Sequence, residues 1–439
     1  MATAPVASAL PLRSTGRPRV VIVGGGFGGL SAARALRRAR VDVVLVDRRN
    51  HHLFQPLLYQ VATAGLSPGD IASPIRHVLR RQANVQVLLA EALAVDVARK
   101  VVCLDVGELP YDALIVAAGA THSYFGHDEW QAAAPGLKSL DDALAIRREV
   151  LLAFERAERT ADGRAQRRLL TFVVIGGGPT GVEMAGALAE IARHALRHEF
   201  REIFPESARI ILLEGGPTLL AAFPPPLRAY AEEALRDLGV EVRLGAQVSA
   251  VEPGTVRVGD EAIEAGTIIW AAGVAASPLG RTLGVPVDRA GRVKVRPDLT
   301  IPGREDVYVV GDLAAFDTGD GRTLPGVAQV AMQQAAWAAR NILATLRGAP
   351  REPFVYRDLG NLATIGRARA VADLGRLRFS GYAAWLFWLF VHIWQLTGFR
   401  NRVVVFVQWA FAYFTYQRSI RLITGETRES ADRSARPWS

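Results

Sequence analysis

The stretch VVIGGGPTGVE (residues 173–183) decides the fold. It has the spacing G-x-G-x-x-G at Gly176, Gly178 and Gly181. In a strand–turn–helix unit the first glycine permits a tight turn, the second lets the backbone approach a pyrophosphate, and the third lets helix and strand pack closely. The apolar run LLTFVVI precedes the motif, and helical spacing follows from about Val182. The stretch therefore predicts a dinucleotide-binding turn.

The same spacing occurs earlier, in VIVGGGFGGL (residues 21–30), at Gly24, Gly26 and Gly29. The strand-like run RVVIV precedes this copy, and a helical pattern and the run VDVVLVD follow it. Each copy begins a βαβ unit, which implies a parallel sheet. A helix that begins at such a turn offers its N–H groups to phosphates. Two complete units predict that the chain binds two dinucleotides.

An acidic residue ends the second strand of each unit. Asp47 lies 18 residues after Gly29, and Glu214 lies 33 residues after Gly181, which requires a longer connection. Such an acid can accept hydrogen bonds from ribose hydroxyls and repel a 2′-phosphate. The alternative is that both acids only end strands at a wet surface. With two sites, FAD is the expected resident cofactor and NADH the exchanging substrate.

Composition excludes several classes of function. Half of the 439 residues are apolar, which indicates two or three folded domains rather than a disordered chain. The net charge of +9 comes from arginines spread among 43 acids, so we do not predict nucleic-acid binding. The single Cys103 excludes a dithiol mechanism. No histidine spacing indicates a metal site, and the pair His51 and His52 is interpreted as surface or packing residues.

The C-terminal region has a different composition. No formally charged residue occurs at 379–399, and four of the eight tryptophans lie at 385–409. Tryptophan and bordering arginines suit the headgroup region of a bilayer, whereas His392 and Gln395 argue against a membrane span. We therefore favour helices that lie in the interface over a span. A dimer interface is compatible with both.

Several motifs together resemble one family. They are the two glycine motifs, NHHLFQPLLYQVATAGLSPGDIASPIR, AAGATHSYFG, VYVVGDLA, GVAQVAMQQA and the aromatic C-terminus. Over residues 18–425 the chain resembles the type II NADH dehydrogenases, which are non-proton-pumping NADH:quinone oxidoreductases. The resemblance implies an α/β fold with two Rossmann-type domains, the NAD domain inserted in the FAD domain, followed by a C-terminal helical membrane-attachment segment.

The expected boundaries follow from this resemblance and from composition. They are a disordered arm (1–17), an FAD-binding domain (18–140 and 285–360), an NADH-binding domain (165–280), a membrane-anchoring region (361–425) and a polar tail (426–439). Residues 379–424 are expected to contact the membrane, which places the protein peripherally on the cytoplasmic face of a bacterial inner membrane.

The resemblance also implies roles for individual residues. Asp312 would bind a ribityl hydroxyl of FAD, with a helix cap as the alternative role. The backbone at Ala328 and Gln329 would approach the flavin, Leu93 would lie by the adenine, and Gln55 would line the flavin. The predicted cofactor-binding set is Gly24, Gly26, Phe27, Gly28, Gly29, Asp47, Arg48, Gln55, Leu93, Ala118, Gly119, Asp312, Ala328 and Gln329 for FAD, and Gly176, Gly178, Pro179, Thr180, Gly181, Glu214, Ala272 and Gly273 for NADH.

Three residues are predicted to be catalytic. Glu183, expected in the first turn of its helix, would act beside the nicotinamide and the quinone path in positioning or proton delivery; favourable helix electrostatics is the alternative. Gln329 and Gln333 are four residues apart and should share a helix face. By the resemblance their amides would bind a quinone, with a polar helix face as the alternative. Gln334 is expected to point away.

The predicted reaction is ping-pong: NADH gives a hydride to the flavin and leaves, and two electrons then pass to a quinone. One alternative is a membrane-bound flavoprotein that senses redox state or binds a partner with little turnover. A sulfide:quinone reductase is disfavoured because a second cysteine is missing. A soluble NADPH-linked reductase is disfavoured by Glu214.

Overall fold

The computed structural model describes Leu10, residues 12–415 and residues 421–424. The predicted polar tail (426–439) lies outside the described residues, as do most of residues 1–11 and residues 416–420. Residues 12–17 of the predicted disordered arm instead contact the folded chain. Leu12 packs on a core cluster, and the backbone N–H and Oγ1 of Thr15 each donate to Asp42 at 2.8 Å.

The strands are, in chain order, β1 (Arg19–Val23), β2 (Asp42–Asp47), β3 (His51–Leu53), β4 (Ala72–Pro74), β5 (Val85–Leu89), β6 (Ala92–Asp96), β7 (Val101–Leu104), β8 (Gly107–Pro110), β9 (Ala113–Val116), β10 (Ala120–His122), β11 (Thr171–Ile175), β12 (Arg209–Leu213), β13 (Val240–Arg243), β14 (Val248–Glu252), β15 (Thr255–Val258), β16 (Glu261–Glu264), β17 (Thr267–Trp270), β18 (Val274–Ala276), β19 (Val293–Lys294), β20 (Thr300–Ile301), β21 (Arg304–Val309), β22 (Ala314–Ala315), β23 (Asn361–Gly366), β24 (Arg369–Asp373) and β25 (Arg378–Gly381).

The α-helices are α1 (Phe27–Ala35), α2 (Leu58–Ala62), α3 (Pro68–Ile71), α4 (Ile75–Leu79), α5 (Leu140–Glu158), α6 (Gly163–Leu169), α7 (Pro179–Glu190), α8 (Pro225–Asp237), α9 (Ala328–Leu346), α10 (Tyr382–Gln395) and α11 (Phe399–Thr415). Short 3₁₀ helices occur at Gln55–Leu57, Asp128–Ala132, Pro205–Ser207, Pro278–Leu283 and Gly311–Leu313, and a π-helical turn at Ile191–Ala195 extends α7.

The chain forms two compact units. The first comprises residues up to 53, 72–123 and 273–359. Its main sheet has the order β20-β21-β9-β1-β2-β5 and is parallel except for β20. Helices α1 and α9 pack on each other beside one face of this sheet. Alternate residues of β1 enter two core clusters, so the strand is buried on both sides, as expected for a parallel sheet.

The second unit comprises residues 54–71, 124–272 and 360 onward. Its parallel sheet has the order β13-β12-β11-β17. Helix α5 begins at a capping box, in which Ser139 Oγ accepts the N–H of Asp142 and the Asp142 carboxylate accepts the N–H of Ser139. The prediction of an α/β fold with two parallel-sheet units is confirmed.

The units divide the chain differently from the predicted boundaries. Residues 54–71 and 124–140 group with the second unit, although the predicted FAD domain included them. Residues 361–381, expected in a membrane-anchoring region, form the antiparallel sheet β23-β24-β25, which packs on α7 and α8. Helices begin only at Tyr382. The assignment of FAD and NADH to the two units remains a prediction.

Candidate functional site

The first glycine motif forms the turn between β1 and α1. Gly24 has φ +102°, and a Cβ on Gly29 would collide with the Gly24 carbonyl oxygen, so neither position accepts a side chain without strain. Gly26 is the N-cap of α1 and has no side-chain capping bond, and a Cβ there would meet nothing within 4 Å. The turn thus leaves open space beside the start of α1, where the first N–H groups have no partner within the helix, and this arrangement fits a diphosphate.

Asp47 holds this turn. Its Oδ2 accepts the N–H of Gly25 at 2.5 Å, and its Oδ1 accepts the N–H of Arg49 at 2.7 Å. A carboxylate can accept about four hydrogen bonds, so the same side chain can also receive ribose hydroxyls. Asp47 therefore does more than end a strand at a wet surface.

The second glycine motif repeats this arrangement between β11 and α7. Gly176 has φ +115°, a Cβ on Gly181 would collide with the Gly176 carbonyl oxygen, and a Cβ on Gly178 would meet nothing within 4 Å. Glu214 accepts the N–H of Gly177 through Oε2 and the N–H of Gly216 through Oε1, both at 2.6 Å. The two units thus share one arrangement, which we call the cradle: a glycine turn with an open position at the helix N-terminus, and an acid bonded to the turn.

Other predicted residues of the first unit lie near the carboxyl ends of its strands. Ala118 and Gly119 follow β9, and Asp312 follows β21. Asp312 is partly buried beside Gly326. It is not the N-cap of its 3₁₀ helix, because that position is Val310 and carries no side-chain bond. Asp312 therefore does not cap the helix that directly follows its strand, and its contact with FAD stays a prediction.

The remaining predicted contacts are more dispersed. Leu93 is 57% exposed on β6, outside the main sheet. Arg48 is exposed and pairs with Glu91 at 3.4 Å. Gln55 begins a 3₁₀ helix of the second unit and donates through Nε2 to the Lys138 carbonyl at 3.2 Å. Sequence alone gave no indication of these partners.

Glu183 is the fifth residue of α7, so its prediction in the first turn is wrong. The helix begins earlier because Gly178 is its N-cap and Pro179, whose φ is fixed for a helix, is its first residue. Glu183 Oε1 accepts the N–H of Thr364 at 3.5 Å. Burial raises the pKa of Glu183 to about 8, and the Thr364 bond lowers it only in part. The side chain is therefore largely protonated and uncharged at neutral pH. The alternative role for Glu183, favourable electrostatics with the helix, requires a negative charge and is not supported.

Glu183 lines a cavity of about 130 Å³ within the second unit. Glu190 and His194 line it from the same helix and its π-helical extension, and Thr364 from β23. Its other wall is aromatic and comprises Tyr59, Trp385, Trp388, Trp409 and Tyr413. Trp409 Nε1 donates to Gln60 Oε1 at 2.7 Å, which ties α11 to α2. Glu183 thus faces a cavity with an aromatic wall.

The glutamines of α9 confirm the predicted shared face. Gln329 Oε1 accepts the N–H of Leu359 at 3.1 Å. Gln333 binds the backbone of Arg357 twice, accepting its N–H at 3.0 Å and donating to its carbonyl at 2.9 Å. Gln334 points away, is fully buried, and accepts the N–H of Gly311 at 2.7 Å. The face of α9 that Gln329 and Gln333 share therefore binds the backbone of residues 357–359.

Comparison with known proteins agrees with this geometry. Residues 18–335 match the family model for pyridine nucleotide-disulphide oxidoreductases, and residues 359–418 match that for the NDH2 C-terminal domain. The chain is 48% identical over 426 residues to the type II NADH:quinone oxidoreductase Ndh of Mycobacterium tuberculosis (strain ATCC 25618 / H37Rv), covering 93% of this chain and 91% of that protein. NdhA of the same organism is 47% identical, with 96% and 92% covered.

The chain belongs to the type II NADH:quinone oxidoreductase family. A solved structure of NDH2 from Plasmodium falciparum in complex with NADH has the same fold, with a TM-score of 0.85 at 22% identity, covering 93% of this chain and all of that one. A sulfide:quinone oxidoreductase from Aquifex aeolicus shares the fold at a TM-score of 0.69 and 17% identity, covering 95% of each chain.

The C-terminal helices of this family member expose large apolar side chains. On α10 these recur every four residues at Tyr382, Leu386, Phe390 and Trp394, and on α11 they include Phe399, Val403, Phe406, Val407 and Phe411. The uncharged segment 379–399 is not one continuous helix, because α10 ends at Gln395 and Gly398 has φ +93°. Among the described helices, none has the length and apolarity needed to cross a bilayer.

Sequence reasoning missed two buried contacts. His52, interpreted as a surface or packing residue, is 3% exposed and bonds through Nδ1 to the Gly25 carbonyl at 3.1 Å. Gly186 of α7 lies against the carbonyl oxygen of Ile365. The neighbouring sequence gives no indication of the His52 contact. A glycine inside a helical pattern, such as Gly186, is a weak indication of close packing. Within the described residues, no group of His, Cys, Asp and Glu side chains is placed to hold a metal ion.

Proposed function

We propose that this protein oxidises NADH and reduces a membrane quinone through a tightly bound FAD, without pumping protons. The duplicated cradle carries the proposal: each unit combines an open glycine position at a helix N-terminus with an acid that holds the turn. The first unit would hold FAD and the second NADH. When bound, FAD would take up a hydride from NADH and release two electrons to the quinone.

The chain's own residues would bind and orient the reactants. Asp47 and Glu214 would receive the ribose hydroxyls, and Asp312 the ribityl chain of FAD. Both acids would oppose a 2′-phosphate, because a second negative charge would lie beside them. Glu214 therefore favours NADH over NADPH.

Glu183 would supply a proton. Conversion of NADH and quinone to NAD⁺ and quinol consumes one proton beyond the hydride, so the site needs a donor. A carboxyl group with a pKa of about 8 is protonated at neutral pH and can give up its proton readily. Gln329 and Gln333 would bind the quinone, and their bonds to residues 357–359 would fix the orientation of the amides.

The exposed apolar residues of α10 and α11 support attachment to a lipid surface. Arg402 stacks over the Trp394 ring at 5.7 Å, which combines a cation with an interfacial aromatic group. We place the protein peripherally on the cytoplasmic face of a bacterial inner membrane. A homodimer could also cover part of the exposed apolar surface of α10 and α11.

The test is steady-state reduction of a soluble quinone with NADH or NADPH as donor. Rapid turnover with NADH, and at least tenfold lower kcat/KM with NADPH, is expected. A tenfold preference for NADPH would contradict the role of Glu214. Flavin reduction without quinone turnover would favour a redox sensor instead.

A further inference from the structure

His52 is buried beside the glycine turn of the first unit. It lies on β3, whose residue 52 pairs with Ser73 of β4, and it is 3% exposed. Its ring and that of Phe27 of α1 form a T-shaped contact, with the ring centroids 5.1 Å apart and the planes at 88°. Its Nδ1 is 3.1 Å from the carbonyl oxygen of Gly25. The imidazole therefore occupies one defined position against the turn.

The contact fixes the tautomer of His52. A carbonyl oxygen only accepts hydrogen bonds, so Nδ1 must carry a hydrogen. Burial lowers the pKa of His52 to about 4; the hydrogen bond to Gly25 raises this pKa in part, and the nearby charges of Arg34 and His51 lower it further. The ring is thus neutral at physiological pH, with its single N–H at Nδ1.

Gly25 is consequently held at both ends of its backbone. Its N–H donates to Asp47 Oδ2 at 2.5 Å, and its carbonyl accepts from His52. Gly25 immediately precedes Gly26, the N-cap of α1 that faces open space. The Gly25 carbonyl and the Gly26 N–H belong to one planar peptide, so a bond that holds the carbonyl also fixes the direction of that N–H at the start of α1.

The second unit offers an internal comparison. Gly177 occupies the equivalent position, and its N–H donates to Glu214 Oε2 at 2.6 Å. Its carbonyl accepts the backbone N–H of Leu220 at 2.8 Å, where Leu220 has φ +47°. Both turns are therefore held at both ends, once by an imidazole and once by a backbone amide. The two turns thus share this pair of bonds, although a different group donates at the carbonyl end of each.

We propose that His52 is a positioning residue for cofactor binding in the first unit, which fixes the Gly25 carbonyl and so aims the α1 N–H groups at the diphosphate of FAD. This rests on the proposed function, which assigns FAD to that unit. His52 does not touch the reacting atoms, so it affects retention of the cofactor rather than the chemical step.

The test compares FAD release from the purified wild-type holoenzyme and from three variants. His52→Phe keeps a ring against Phe27 but removes the donor. His52→Asn retains a donor, because asparagine Nδ2 can stand where histidine Nδ1 stands. His51→Asn is the matched control, since His51 is the neighbouring histidine and its Nδ1 lies 3.0 Å from Asn50 Oδ1. The fluorescence of released flavin after dilution gives each dissociation rate.

We expect His52→Phe to release FAD about tenfold faster, as for loss of one buried hydrogen bond of about 1.4 kcal/mol. His52→Asn should stay within about threefold of the wild type, and His51→Asn should match it. The KM for NADH should be unchanged in all three. Equal release from His52→Phe and wild type, or equal acceleration in His52→Phe and His52→Asn, would overturn the proposal.

A second measurement does not depend on folding of the Phe variant. Nitrogen-15 NMR of histidine-labelled wild type, with the His52 signals assigned by their loss in His52→Asn, reports which ring nitrogen carries the hydrogen. Protonation of Nδ1 supports the proposal, and protonation of Nε2 alone would overturn it. A wild-type protein that retained no flavin would instead contradict the proposed function.

Discussion

Gly186 of α7 lies so close to the carbonyl oxygen of Ile365 that no side chain fits between them. The contact lets α7 and β23 meet at backbone distance. On either side of it, Glu183 accepts the N–H of Thr364 and Glu190 accepts the N–H of Arg367. The close approach at Gly186 therefore allows two acids of α7 to bond to the backbone of β23 and of the turn that follows it.

Gly186→Ala should separate helix and strand. The new methyl group would occupy the position of a backbone oxygen, so we expect a loss of about 1–3 kcal/mol in unfolding free energy. Gly163→Ala is the matched control, because Gly163 begins the exposed helix α6 and its Cβ would meet only the Arg167 side chain. Thermal unfolding compares the two. A Gly186→Ala protein as stable as Gly163→Ala would show that the close approach is not required.

Gly26→Ala and Gly178→Ala form a reciprocal pair. A methyl group at either position meets no protein atom within 4 Å, so folding should be preserved while the diphosphate space shrinks. Gly26→Ala should lose flavin and keep its affinity for NADH. Gly178→Ala should keep flavin and raise the KM for NADH on the order of tenfold, about 1.4 kcal/mol. If Gly26→Ala instead weakened NADH binding and Gly178→Ala lost flavin, NADH would be assigned to the first unit and FAD to the second.

Glu183 should make stability depend on pH. Its pKa is raised from 4.5 to about 8 on folding, so the folded state binds the proton more tightly than the unfolded state. The resulting stabilisation is complete below about pH 4.5 and is lost as the pH rises through about 8. Glu183→Gln should remove this dependence.

The measurement is the melting temperature of wild type minus that of Glu183→Gln, from about pH 5 to about pH 9. This difference should decrease with rising pH. Glu233→Gln, at an exposed position of α8, is the control and should show no comparable slope. A flat difference for Glu183→Gln would mean that its carboxyl group is not protonated in the folded protein.

Gln329→Leu combined with Gln333→Leu should affect only the quinone half of the reaction. Flavin reduction by NADH should persist, whereas reoxidation by quinone should slow by on the order of tenfold. Because Gln333 also binds Arg357 twice, limited proteolysis at residues 357–359 should be followed in parallel. Unchanged reoxidation would remove both residues from the quinone site.

The exposed face of α10 should govern binding to vesicles. Phe390 and Trp394 are 64% and 67% exposed, so Phe390→Ser with Trp394→Ser should weaken binding to anionic vesicles at least tenfold, at roughly 1.5–3 kcal/mol per side chain, without loss of stability. Phe204→Ser is the control, because Phe204 is 73% exposed but lies outside the C-terminal helices. A changed oligomeric state with unchanged vesicle binding would identify a dimer surface instead.

The cradles could be predicted from sequence because their determinants are local. The glycine spacing fixes the turn, and the strand that follows carries the acid back to it, so the sequence predicts that Asp47 and Glu214 lie at the turns. The apolar spacing predicts the start of α7 a few residues late, since it marks the first buried residues and not the cap at Gly178.

Contacts between distant segments could not be predicted in this way. The bonds of His52 to Gly25, Gln334 to Gly311 and the approach of Gly186 to Ile365 depend on how separate elements pack. The sheet at residues 361–381 was missed because the long apolar run beside it dominated the interpretation of that region. Its short strands alternate with turns at positive-φ residues such as Ala368 and Gly375, a weak local pattern.

The most direct test of flavin-mediated electron transfer is the absorption spectrum of the purified protein during two anaerobic additions. We expect a yellow protein whose flavin bands bleach when NADH is added and return when a soluble quinone follows. A correctly folded protein that is colourless and does not bind added FAD would contradict it.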